Sequence, residues 1–278
     1  MTMTDDVLEA DSYVLQRTEA EMARLRAQSK ALEPLTLRVL ERAGVRTGMR
    51  CLDAGCGPGE VMRLLGRMVG AEGHVTGLDI DVAMGRRTVE ALRREEGPRF
   101  DFVAGDVTRR EAVGGGPFDL VFARLLLCHM TDPAGTVRHL AEQLRPGGTL
   151  VLMDYDMSHF SVRPEHPEVE RGFQIVTECF RRSGKDADAG LRLGQYLTEA
   201  GLPPALGYEA QALLGSIATV GPMLDGVLGS LTQAALAQGI AGPEEVEAIR
   251  ATVRRLTAAG AHTALGPIAV GAWTTRPG

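Results

Sequence analysis

Three glycines at alternate positions stand behind a carboxylate in Met49-Arg50-Cys51-Leu52-Asp53-Ala54-Gly55-Cys56-Gly57-Pro58-Gly59-Glu60. An apolar run enters this loop and a helical pattern leaves it. Gly55, Gly57 and Gly59 permit positive φ and let a ligand approach the backbone closely. A glycine loop alone does not separate dinucleotides from other ligands. Two further details do. The spacing is G-x-G-x-G rather than G-x-G-x-x-G, and Asp53 sits where the strand ends. A carboxylate there opposes a pyrophosphate and favours a cation. S-adenosylmethionine carries a sulfonium and an ammonium and no phosphate, so the charge logic selects it over a dinucleotide.

Two more acids follow in register. Asp79 closes the next strand-like run, Val75-Thr76-Gly77-Leu78-Asp79, 20 residues beyond Gly59 and just before Ile80. A βαβ unit sets such a carboxylate beside the loop, ready to accept from ribose hydroxyls. Asp81 is the alternative, or else the N-cap of a helix starting at Val82. Asp106, after Phe102-Val103-Ala104-Gly105, suits a bond to an adenine amine, with the Val107 backbone N–H toward the ring. It fits a helix cap equally well.

The elements that must hold these groups alternate between strand-like and helical patterns, as in a parallel sheet covered on both faces. Strands are expected at Met49–Ala54, His74–Asp79, Phe100–Ala104, Phe118–Ala123 and Thr149–Asp154. Helices are expected at Glu60–Val69, Val82–Arg94 and Pro133–Leu144, with Pro146 and two glycines after the last. Two helices precede this core, at Tyr13–Lys30 and Glu33–Ala43. Pro164–Arg182, Ala187–Ala200, Ile217–Gln238 and Pro243–Ala259 read as helices after it, and Leu206–Leu213 and Leu265–Trp273 as strands. The chain is therefore divided into a helical cap (1–44), a cofactor-binding core (45–155), a helical lid (156–201) and a segment completing the sheet (202–278), all in one structural domain.

The fragments DAGCGPG (53–59), VTGLDID (75–81), FVAGDV (102–107), FDLVFARLLLCHMTDP (118–133) and LRPGGTLVLMDYD (144–156) together resemble the class I S-adenosylmethionine-dependent methyltransferases. Within that class they are most similar to the branch of ubiquinone, menaquinone and natural-product methyltransferases. The resemblance implies an α/β, Rossmann-like, seven-stranded sheet in order 3-2-1-4-5-7-6, with the seventh strand antiparallel. It also implies methyl transfer to a small molecule, O-methylation first, with N- or C-methylation, a modified peptide, or cofactor binding without transfer left open. Tyr13, Arg24 and Gln28 match by type the residues that close over the cofactor's methionine end in such enzymes. The backbone around Arg124 would lie under the cofactor.

Open α/β sheets bind ligands at the carboxyl ends of their strands, so the acceptor belongs beyond the fourth and fifth strands. His129 there is a candidate base or a structural histidine. In Asp154-Tyr155-Asp156-Met157-Ser158-His159, Asp156 and His159 are the other candidate bases. His166, Phe173, Phe180 and Tyr196 are candidates to line the cavity. No metal is expected, because the chain contains no asparagine for an Asp/Asp/Asn set and its histidines are scattered. A net charge of −6 disfavours nucleic acid. No apolar run approaches the roughly 20 residues that span a bilayer. The four cysteines form no C-x-x-C pair, and the acidic N-terminus has no leader pattern, which together indicate the cytoplasm. A homodimer is a possible assembly.

Overall fold

The computed structural model describes residues 19–95, 97–109 and 113–278. Helix α1 (Glu19–Arg42) comes first and runs unbroken through Pro34. The sequence pattern suggested two helices here. Proline removes one backbone donor, but packing of Leu32, Leu35 and Val39 against the core holds the helix together across it. The next elements alternate: β1 (Arg50–Ala54), α2 (Glu60–Val69), β2 (His74–Asp79), α3 (Val82–Leu92), β3 (Arg99–Ala104) and β4 (Phe118–Arg124). After a 3-10 turn at Leu127–His129 come α4 (Pro133–Glu142), β5 (Leu144–Asp156) and β6 (Ser161–Arg163). Then follow α5 (Pro167–Arg182), α6 (Ala189–Glu199), β7 (Gly207–Ser216), α7 (Ile217–Ala237), α8 (Pro243–Ala259) and β8 (Thr263–Thr275).

One mixed sheet results. Strands β3-β2-β1-β4-β5 are parallel, and β8 joins β5 antiparallel. β5 pairs with β8 along 268–275 and β6 with it along 263–265, while β7 pairs along 263–273. Overlapping partners cannot share an edge, so β5 and β6 line one side of β8 and β7 takes the other. Leaving out the three-residue β6, this is the expected order 3-2-1-4-5-7-6; β6 is an addition. β1 lies between β2 and β4, so the winding reverses there and the carboxyl ends diverge at the place where open sheets bind ligands.

The strands are buried on both faces, and their side chains sort by parity. Leu52, Val121, Leu150 and Leu152 enter one apolar core, while Cys51, Leu120, Phe122, Val151 and Met153 enter the other. This is the period-two rule of a pleated strand covered by helices on both sides.

The segment read as a lid divides in two. α6 lies flat on the sheet: a Cβ on Gly190 would stand 2.8–2.9 Å from the backbone of Asp154, Tyr155 and Asp156. α5 instead packs against α7 and α8, the hairpin inserted between β7 and β8. The roof over the strand ends is therefore α5 with α7, and α6 belongs to the layer beneath. No described helix is long and apolar enough to cross a membrane.

Because α6 approaches a strand backbone that cannot yield, Gly190→Ala is expected to destabilise the protein by about 1–3 kcal/mol. Gly114→Ala, at an exposed turn position where a Cβ meets nothing within 4 Å, should change stability by less than about 0.5 kcal/mol. Urea unfolding of both variants checks the contrast.

Candidate active site

The glycine loop adopts the backbone that its residue types allow. Gly55, Gly57 and Gly59 all have positive φ, at 71°, 49° and 78°. Gly55 N and Cys56 N donate to Leu78 O at 2.8 and 3.1 Å, which ties the loop to β2. A Cβ on Gly57 would meet nothing within 4 Å, so this peptide faces open space. Asp79 holds the turn from the other side. Its Oδ2 accepts from Gly57 N and its Oδ1 from Asp81 N, both at 2.9 Å. Asp81 in turn caps α3 by accepting from Met84 N at 3.0 Å, the helix-cap role weighed for it. Ile80, 40% exposed, sits at the rim.

Asp53 is the charged centre of this region. It is 2% exposed, and its Oδ2 has no hydrogen-bond partner among the described residues. Desolvation raises its carboxyl to about 7; the Arg124 guanidinium pulls against that rise and the Asp79 carboxylate adds to it. A buried acceptor left without a donor, beside glycine backbone open to a ligand, fits a small cation with N–H groups. The residues present therefore fit S-adenosylmethionine. Asp53, the loop and Asp79 are the groups that would hold it.

Arg124, whose backbone the resemblance sets under the cofactor, closes β4. Its side chain turns toward α1, donating to Thr36 Oγ1 at 2.9 Å and to Ser29 Oγ. Thr36 Oγ1 itself donates to Leu32 O at 2.8 Å. Arg124 thereby latches α1 to β4 while its charge lies near Asp53. The next residue, Leu125, has φ of 54°, rare for a non-glycine residue, and its N donates to Met153 O at 2.8 Å. Nothing in the sequence marked that strained position. Asp106 accepts from Thr108 N and Oγ1 at 2.9 and 2.7 Å, so its carboxylate shapes the turn after β3. Val107 packs half-buried against the core.

Gln28, on α1, donates from Nε2 to Tyr155 OH at 3.2 Å across the end of β5. Arg24 is also on α1, but its side chain, like the whole of Tyr13, lies outside the described residues.

The three candidate bases fall in two places. His129 sits in the turn after β4, its ring 5.5 Å from that of Phe180. Asp156, 1% exposed, accepts from Ser158 N at 2.8 Å, from Ser158 Oγ at 2.5 Å, and from His159 Nδ1 at 2.8 Å. Desolvation works against its charge, yet the Ser158 and His159 bonds hold its carboxyl below the usual range. The side chain of His159 is 59% exposed. Asp154, which the sequence offers only as the end of the fifth strand, is the buried tie: it accepts from Cys128 N at 3.1 Å and Tyr155 N at 2.9 Å. Burial raises its carboxyl to about 6. It fixes the His129 turn to β5. No set of His, Cys, Asp and Glu able to hold a metal occurs among the described residues.

Asp79→Ala removes one bond to the glycine loop and one to the residue before α3, and is expected to weaken S-adenosylhomocysteine binding by about 1–3 kcal/mol in calorimetry. Asp53 carries a pH signature. Its folded carboxyl titrates near 7, above the unfolded value, so its contribution to stability is present at low pH and lost as pH rises through about 7. Asp53→Asn should therefore raise the thermal midpoint of the ligand-free protein by several degrees at pH 8, and by much less at pH 5. The same variant should bind S-adenosylmethionine more weakly at pH 8.

Residues 23–199 match the methyltransferase domain family. The chain is 35% identical over 118 residues to the ubiquinone biosynthesis O-methyltransferase of Aromatoleum aromaticum, across 42% of this chain and 48% of that protein. It is 28% identical over 210 residues to the sterol 24-C-methyltransferase ERG6A of Gibberella zeae, across 72% of this chain and 54% of that one. It thus spans about half the length of these curated relatives. Among solved structures, the Haemonchus contortus phosphoethanolamine N-methyltransferase 2 with bound S-adenosyl-L-methionine aligns with a TM-score of 0.52 at 17% identity, over 88% of this chain and 53% of that one. That likeness is one of fold. The family match runs from α1 through α6 and takes in the loop, its acids and both strand ends, and the chain belongs to the class I S-adenosylmethionine-dependent methyltransferase family.

Proposed function

We propose that this chain transfers a methyl group from S-adenosylmethionine to a hydroxyl group on an apolar small molecule. One observation carries this reading. Beyond the ends of β4 and β5 lies a pocket of about 90 Å³, roofed by α5 and α7 and walled by Leu125, Tyr155, Phe173, Val176, Phe180 and Leu224. His129 and Gln28 are among the few polar side chains on its lining.

S-adenosylmethionine, when bound, supplies a methyl group made electrophilic by its sulfonium. The protein contributes position, dryness and a proton acceptor. Apolar walls exclude water and orient an apolar body by burial. Gln28 and Tyr155, bonded to each other, close the α1 side and hold that helix over the strand ends. His129 stands in the wall on a turn that Asp154 fixes through Cys128 N, so its ring has a set position from which to accept the acceptor's proton. The Asp156–His159 pair is not among the side chains lining this pocket and orders the turn after β5.

The hydroxyl reading is tested with phenolic, amine and carbon acceptors, following S-adenosylhomocysteine formation. Turnover with phenols and none with amines is the expected pattern; the reverse rejects O-methylation. With the accepted phenol, His129→Gln should lower kcat by roughly 100-fold or more and leave S-adenosylhomocysteine affinity within about twofold. His159→Ala should stay near the parent rate. An equal loss in both variants rejects His129 as the base.

A further inference from the structure

Strand β7 forms an edge of the sheet: among the described residues it pairs with β8 alone. An open edge presents unpaired backbone donors and acceptors, and proteins blunt such edges with short strands, lysine, proline or a bulge. β7 has none of these. It is ten residues long, contains no lysine, arginine or proline, and alternates inward and outward without a break from Gly207 to Ser216. The irregularity in its pairing falls on the neighbouring strand, where Gly266 and Pro267 of β8 stand opposite the single residue Leu213. Its one charge, Glu209, lies on the inward face, where Arg42 of α1 takes it at 2.9 Å.

The outward face is apolar. Tyr208, Ala210, Ala212 and Leu214 stand on it, with Leu206 just before the strand. Among the described residues, the large apolar side chains more than half exposed are Leu191, Leu206, Tyr208 and Leu214. Three of these four belong to this face. Leu191 joins them from α6, because a Cβ on Gly194, one turn along that helix, would collide with the Tyr208 hydroxyl. An exposed apolar residue standing singly is ordinary, whereas a group of them marks an interaction surface.

The order of the side chains identifies what covers this face. Tyr208, Ala210, Ala212 and Leu214 run large, small, small, large, the same in either direction about Gln211. A two-fold contact sets position i of one copy against j of the other and j against i, so it closes only on a self-matching surface. Two chains of net charge −6 repel each other, and a face without carboxylates is where they can meet. We propose that two copies of this chain pair their β7 strands antiparallel across a two-fold axis at Gln211, joining their sheets into one. Tyr208 then faces the second copy's Leu214, Ala210 faces Ala212, and Glu209 faces Leu213, so no like charges are opposed.

Sedimentation velocity of the full chain is expected to show a dimer at micromolar concentration. Leu214→Lys and Tyr208→Glu, both at largely exposed side chains, should each give a monomer. Leu236→Lys, on α7, should leave the dimer unchanged. Positions 208 and 214 are about 20 Å apart along one strand, so a glutamate and a lysine placed there cannot pair within a chain. Across the proposed axis each faces the other. The double variant Tyr208→Glu with Leu214→Lys should therefore recover the dimer, with a dissociation constant lower than that of either single variant by about tenfold or more. Thermal melts establish that the variants are folded. A parent chain that is monomeric at every concentration would overturn the β7 pairing and leave the face to residues 1–18 or to a different molecule. A dimer that survives Leu214→Lys, one lost equally in Leu236→Lys, or a double variant no more dimeric than the single ones would overturn it as well. All of these outcomes leave the methyltransferase reading as it stands.

Discussion

A carboxylate kept out of water organises this molecule. Asp53 sits at the end of the central strand with one oxygen unpartnered among the described residues. Burying a charged oxygen without a donor is costly, and the protein meets that cost by holding the group near neutrality, at about 7, and by placing Arg124 nearby. Arg124 is itself deeply buried, and desolvation lowers its own pKa. It is stabilised by hydroxyls on α1, so the helix that closes the site and the acid that waits in it share one network. A cationic ligand at Asp53 would supply what the ligand-free protein lacks there.

Around that centre the hydrogen bonding is conservative of position. Asp79 spends both oxygens on backbone N–H groups of the loop and of the residue before α3. Asp154 does the same for the turn after β4 and for β5. Each uses a carboxylate to fix a backbone turn at a strand's carboxyl end, the edge of the sheet where a ligand must be met. α5 and α7 make the roof over those strand ends, and neither belongs to the strand–helix alternation that builds the cofactor half.

Most of the parallel half was legible in the sequence. The strand runs, the helices between them and the strand order followed from short apolar segments, turn residues and the matched fragments, because buried parallel strands and glycine turns impose residue types locally. The positions of the acids after β1 and β2 were legible for the same reason: each stands at the end of a strand that the local pattern marks. The lid was not. α5 and α6 carry similar amphipathic patterns, and only packing distinguishes a helix lying on the sheet from one standing over its end. Gly190 against the β5 backbone is the visible trace of that difference. The unbroken α1 was missed because its apolar contacts outweigh the local effect of Pro34.

What the sequence by itself determined is the cofactor half: the loop conformation that three glycines permit, the carboxylates in register behind it, and the sheet that sets them in place. These are short-range consequences of residue type. What only the tertiary structure decided is the acceptor half. It brought His129 to an apolar pocket and left Asp156 with His159 off that pocket's lining. It tied the Arg124 guanidinium to hydroxyls on α1. It also set α7, some hundred residues along the chain from β4, over the strand ends. Those outcomes depend on which distant surfaces bury one another, and burial is a property of the folded whole that no local spacing records.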